Sequence, residues 1–111
     1  MKILLTIIFL SLLSSPSWSV SYDDLVKRDG LCYEKFSEVP FSGKVTGLTK
    51  GSIRNGKREG AWTHYYSNGQ LSYKGNYKNG KMEGEWVSYF SDGYMIPSNT
   101  GTYKNGVKIS D

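Results

Sequence analysis

The chain has 111 residues, with 14 Lys and Arg against 10 Asp and Glu, one His and one Cys, enough for one small domain. A lone cysteine closes no intramolecular disulfide, and Cys32 with His64 falls short of four zinc ligands, so the fold is expected to rest on no disulfide, metal or cofactor. Apolar residues make up only 38% while Gly reaches 13 and Tyr 9, a composition that suits turn-rich β structure held by aromatics better than a helical bundle.

Met1-Lys2 precedes an uncharged apolar run from Ile3 to Leu13, followed by Ser14-Ser15-Pro16-Ser17-Trp18-Ser19. A basic start, a short apolar stretch and small residues at Ser17 and Ser19 read as a signal peptide over 1–19, cut between Ser19 and Val20. A spanning helix would need roughly 20 apolar residues. The expected location is therefore exported, periplasmic or extracellular. Cleavage would remove one charge, Lys2, and leave a mildly basic chain. Its Lys and Arg are spread along the sequence instead of forming a basic arm, so no nucleic-acid partner is expected.

Residues 20–50 read as a degenerate N-terminal capping unit, with Tyr33-Glu34-Lys35-Phe36 and Pro40-Phe41-Ser42-Gly43-Lys44-Val45 as echoes of the repeat that begins at Gly51. From Gly51 the sequence repeats at an offset of 24: Gly51, Asn55-Gly56-Lys57, Gly60, Trp62, Tyr65-Tyr66 and Gly69 return as Gly75, Asn79-Gly80-Lys81, Gly84, Trp86, Tyr89-Phe90 and Gly93. The units are 51–74, 75–100 and a truncated 101–111, where Tyr103-Lys104-Asn105-Gly106 matches Tyr77 to Gly80 at an offset of 26, with the inserted residues beside Pro97. Such a period signals one supersecondary unit stacked on its neighbours.

Each unit carries two turn signals. Asn55-Gly56, Asn79-Gly80 and Asn105-Gly106 form one set, Asn68-Gly69 and Asp92-Gly93 the other. The short runs between them make hairpins, and the expected fold is all-β, a single-layer antiparallel meander of β-hairpins. Alternation from Leu71 to Lys78 puts Tyr73, Gly75 and Tyr77 on one face and Lys74 and Lys78 on the other, with Arg54 and Lys104 sharing the face of the lysines. In the partner strands Trp62, Tyr66, Trp86 and Phe90 are expected to form an aromatic spine, with Tyr65 and Tyr89 on the opposite side.

The string from Gly75 through Asn-Tyr-Lys-Asn-Gly-Lys-Met-Glu-Gly-Glu-Trp-Val-Ser-Tyr-Phe-Ser-Asp to Gly93 resembles the MORN-repeat variant of bacterial proteins labelled YwqK-family antitoxins. The resemblance runs from about Gly30 to Gly106 and departs from the pattern at Pro97 and in the short last unit. It implies a one-layer sheet of hairpins and protein–protein interaction, and, from eukaryotic relatives, association with membrane surfaces.

No catalytic constellation is visible. His64 is replaced by Ser88 one unit on, Cys32 reads as a packed thiol with intermolecular pairing as the alternative, and Glu59 and Glu83 read as solvated charges beside turns. The candidate partner-binding residues are Tyr65, Tyr89, Lys74 and Lys78. Two functions are expected from these residues: a non-enzymatic exported protein-interaction module whose partner, on the resemblance, is a toxin; or a peripheral binder of membrane surface or envelope polymer through Arg54, Lys74, Lys78 and Lys104.

Overall fold

The computed structural model describes residues 19–111. Its strands are β1 Ser19–Ser21, β2 Leu25–Arg28, β3 Leu31–Glu34, β4 Gly43–Thr46, β5 Thr49–Arg54, β6 Lys57–Tyr65, β7 Leu71–Lys78, β8 Lys81–Ser88, β9 Gly101–Lys104 and β10 Val107–Ser110, with short 3-10 turns at Tyr22–Asp24 and Pro97–Asn99. Eight strands form one sheet in the order β1-β4-β5-β6-β7-β8-β9-β10, and β2 and β3 pair apart from it. The expected signal peptide falls on residues outside those described, apart from Ser19. Ser19 and Val20, on either side of the expected cut, form the start of β1 beside Lys44 and Val45.

Tight turns dictate the meander. Asn55, Asn79 and Asn105 adopt φ of 51°, 54° and 52°, and the glycines next to them adopt 84°, 82° and 84°. Two successive positive φ values match the twist of hairpin strands, and Asn-Gly is the dipeptide that adopts them at least cost. Asp29–Gly30 makes the same turn between β2 and β3, with φ of 50° and 80°.

Each long hairpin is bent by an irregularity at an equivalent place. Lys50 pairs with Thr63 and Ser52 with Glu59, so Gly60, Ala61 and Trp62 stand opposite Gly51 alone. The same excess recurs where Gly84, Glu85 and Trp86 face Gly75. The bulge lets each indole fold back across the glycine: a Cβ on Gly51 or Gly75 would lie 2.1 Å from Cδ2 of Trp62 or Trp86. Each indole N–H then donates to a main-chain carbonyl on the glycine's strand, Trp62 to Ser52 at 3.1 Å and Trp86 to Asn76 at 3.0 Å.

Aromatics join the hairpins along this face. Tyr22 and Tyr77 both meet Trp62 edge-on at 6.0 Å, Tyr77 meets Trp86 at 5.0 Å, and Tyr103 meets Trp86 at 6.5 Å. Perpendicular contacts of this kind add to the area the rings bury. Two members of the expected spine lie elsewhere. Phe90 is 51% exposed and the Tyr66 ring meets that of His64, at 6.3 Å, instead of a tryptophan. Both stand where the chain has begun to turn out of the sheet, Tyr66 N–H bonding to Gln70 O and Phe90 N–H to Tyr94 O. Tyr22, Tyr77 and Tyr103 take their place.

The N-terminal segment departs from the expectation of a single antiparallel layer in two ways. β1 runs parallel to β4, and the chain between them folds over one face of the sheet. There Cys32 and Phe41 close on Val45, Ile53 and Trp62, with Val20, Tyr22, Leu25 and Tyr77 at the margin. Trp62 is 1% exposed as a result. The second layer removes the Trp62 side of the sheet from water, whereas Trp86, at 4% exposed, is covered by Tyr73, Tyr77 and Tyr103 of the sheet itself.

Successive units are also latched at their turns. Ser42 Oγ, Glu59 Oε1 and Glu83 Oε1 accept from the backbone N–H of Asn55, Asn79 and Asn105 at 2.7, 3.0 and 3.2 Å. Gly80 and Gly106 donate to Arg58 O and Met82 O on the preceding hairpins, each at 2.9 Å. Glu59 and Glu83, read from sequence as solvated charges, therefore hold the next turn in place.

Candidate protein-binding rim and basic face

The other ends of the hairpins form a different surface. From Gly60 to Tyr73 the sequence has no Asp, Glu, Lys or Arg, and from Trp86 to Tyr103 only Asp92. The structure sets these uncharged stretches side by side. Tyr65 N–H donates to Leu48 O at 2.9 Å, Tyr66 Oη to Tyr89 O at 2.8 Å, Asn68 Nδ2 to Ser91 O at 3.0 Å, and Tyr89 N–H to Ser72 O at 2.8 Å. The two later turns have one geometry, because Asn68 Oδ1 accepts from Gln70 N–H and Asp92 Oδ1 from Tyr94 N–H. Side-chain carboxylate or amide oxygens that close their own turn in this way fix the loop locally.

The rim built by those turns exposes Leu48, Tyr65, Phe90, Tyr94 and Met95, with Tyr94 at 74%. Exposed aromatics and methionine grouped where charge is missing have the composition of the centre of a protein interface, which is depleted in Lys, Asp and Glu and enriched in Tyr, Phe and Met. Sequence reasoning found Tyr65 and missed Leu48, Phe90, Tyr94 and Met95. The charge-free stretch from Trp86 was the signal that pointed to Phe90, Tyr94 and Met95, whereas Leu48 lies between Lys44 and Lys50 and had no such signal.

The sequence-selected residues do not form one constellation. Tyr65 ends β6 on the rim. Tyr89 is half-buried beside it, bridged to Met95. Lys74 lies inside the sheet, paired with Thr63 and Val87, and Lys78 lies at the Asn79–Gly80 turn, at the other end of the hairpin from the two tyrosines. Both lysines are exposed, as are Lys44, Lys50, Arg54 and Lys104, and pairing register puts them on the face opposite the aromatic spine. Arg54 stands across from Lys57 and Lys78 across from Lys81, two like-charge pairs that oppose hairpin closure.

His64 is held by Thr49, with Oγ1 and Nδ1 2.8 Å apart, and stacks on Tyr73 at 5.3 Å. The Cys32 thiol is buried in the core. Among the described residues no group of His, Cys, Asp and Glu is placed to hold a metal ion, and no helix is long and apolar enough to cross a membrane.

Comparison with known families identifies one repeat. Residues 58–79 match the family described as the MORN repeat variant. The matched window starts at Arg58 in β6, takes in Trp62, and ends at Asn79 in the next hairpin turn, so it spans the bulge, the indole and the Glu59 latch. The repeat is of a protein-binding type, which is compatible with an interaction module. The match concerns the repeat and does not extend to the YwqK-family antitoxins. No curated protein and no solved structure matches the chain.

Proposed function

We propose that the protein is a non-enzymatic, exported binding module that docks a partner protein through the Leu48–Tyr65–Phe90–Tyr94–Met95 rim, with toxin neutralisation as the role its family resemblance implies. The observation that carries the reading is the coincidence of exposed aromatics with missing charge on turns that are tied rigidly to one another. Export rests on the sequence of residues 1–19. A rigid apolar rim loses little conformational entropy on binding and survives salt.

The test uses the chain from Val20 to Asp111 to capture material from an envelope extract at low and at high salt, beside a Phe90→Ser, Tyr94→Ser variant. A stoichiometric protein that resists salt and is lost by the variant supports the reading. Equal capture by the variant refutes it.

A second reading is favoured by the like-charge pairs Arg54–Lys57 and Lys78–Lys81. An anionic surface would relieve that repulsion, with each lysine contributing about 1 kcal/mol near anionic headgroups. Under this reading the captured material is lipid or envelope polymer, salt removes it, and Lys74→Glu, Lys78→Glu abolishes its binding.

A further inference from the structure

The Asx-Gly turns meet at a hollow that neither the rim nor the aromatic spine uses. Cys32 N–H donates to Gly56 O at 2.8 Å and Gly80 N–H to Arg58 O at 2.9 Å, so the Asp29–Gly30, Asn55–Gly56 and Asn79–Gly80 turns are fixed beside one another. Between them lies a cleft of about 220 Å³ whose lining includes Lys27, Lys57, Arg58, Lys81 and Asn79 and no carboxylate. Asp29 and Glu59 line the adjoining hollow, and Glu59 Oε1 is taken up by Asn79 N–H at 3.0 Å. Among the described residues, none of the four cations takes part in an ion pair. Two of them are positioned by packing. A Cβ on Gly80 would lie 3.6 Å from Lys57 Cβ, so the lysine stem runs against the next turn, and the Arg58 guanidinium lies 4.2 Å from the Tyr77 ring centroid.

We infer that this cleft binds a dianionic phosphate group, free or as the monoester end of a larger molecule. Like charges gathered round one cavity raise its potential and concentrate a multivalent anion there. Stacking on Tyr77 occupies a face of the Arg58 guanidinium and leaves its in-plane N–H donors for phosphate oxygens, which such a planar fork matches. The volume falls below the roughly 300 Å³ at which clefts begin to take drug-sized ligands, so the group recognised is the phosphate and not the body attached to it. A phosphate monoester carries about −1.5 to −2 charge near neutral pH, more than the single charge of a diester, and so gains more from four cations. Filling the cleft also relieves the repulsion between Lys57 and Arg54 and between Lys81 and Lys78, which face each other across their hairpins. The inference rests on neither proposed function, because a phosphate ion needs no partner protein and no membrane to bind.

The probe is inorganic phosphate, titrated at constant ionic strength into the chain from Val20 to Asp111 and followed by backbone amide chemical shifts. Saturation is expected with a Kd of about 1 mM or below, with the largest shifts at the amides of Lys27, Gly30, Gly80 and Lys81. Lys27→Gln should weaken binding about fivefold or more. Lys35→Gln removes the same charge beyond the other end of the β2–β3 hairpin and should bind as the parent does. Both lysines are exposed, and unchanged far-UV circular dichroism ties the loss in Lys27→Gln to the cleft. No saturation up to about 10 mM phosphate overturns the inference. So does equal weakening by the two variants, since binding would then follow net charge and not the cleft. Phosphatidylcholine vesicles containing phosphatidic acid identify the source of the phosphate. Vesicle binding that free phosphate competes away and Lys27→Gln loses supports a lipid headgroup, and phosphate binding without vesicle binding supports a soluble phosphate.

Discussion

The indole of Trp86 lies across Gly75 with no room for a side chain between them, and its N–H bonds to Asn76 O on the same strand. Trp62 stands in the same relation to Gly51 and Ser52. One device, a bulge that returns an indole over a strand glycine, is therefore used twice at the repeat distance. It explains why glycine occupies strand interiors where it would ordinarily weaken the sheet.

Gly75→Ala should consequently displace Trp86. A Cβ at 2.1 Å from the indole ring cannot be absorbed by the shift of a flexible tip, and overpacking of this kind costs about 1 to 3 kcal/mol. The denaturant midpoint should fall and the tryptophan emission shift to the red. A midpoint within error of the parent would show that the ring does not sit on Gly75.

Trp62→Ala tests the covered end of the same face. The ring is 1% exposed and belongs to the core formed with Cys32, Phe41, Val45 and Ile53, so truncation should cost about 3 to 5 kcal/mol. A loss below about 1 kcal/mol would mean that the N-terminal layer does not pack there.

The repeat made much of this architecture legible. A fixed offset and five Asx-Gly pairs placed the hairpins of β5 to β10, because positive φ at those pairs leaves the chain little alternative to reversal. Asp29–Gly30 carried the same signal but lies outside the repeat register, so its hairpin was not legible from the period. The parallel pairing of β1 was not legible either, since Ser19–Val20–Ser21 is too short to have a pattern and its partner is chosen by the layer that comes after it. The spine was half legible: alternation put Tyr73, Gly75 and Tyr77 on the right face, yet counting on through Phe90 assumed a strand that in fact ends at Ser88. The rim required register as well as sequence, because two uncharged stretches become one surface only when Tyr66 reaches Tyr89 and Asn68 reaches Ser91.

The latches between units predict a local effect. Glu59→Ala removes the acceptor of Asn79 N–H, an exposed bond worth about 0.5 to 1.5 kcal/mol net. Amide exchange at Asn79 should accelerate while exchange at Asn105, held by Glu83, is unchanged. Glu59→Gln keeps an acceptor oxygen and should recover most of the loss. Equal acceleration at both amides would point to global destabilisation instead.

Tyr73 and Tyr77 give the fold a pH dependence on the alkaline side. Burial is the main cause raising both phenols above the ordinary tyrosine value, with the neighbouring Tyr77 adding to the rise at Tyr73 and Arg58 opposing it at both. The fold thus favours the neutral phenol. Its contribution is complete below the unfolded-state value of about 10 and is lost as pH rises through the higher folded-state values. Denaturant midpoints should hold steady from about pH 8 to 9.5 and then decline. Tyr77→Phe keeps the ring between Trp62 and Trp86 and has no proton to lose, so its midpoint should decline less over the same alkaline range. A parallel decline in parent and variant would assign the alkaline loss to other groups.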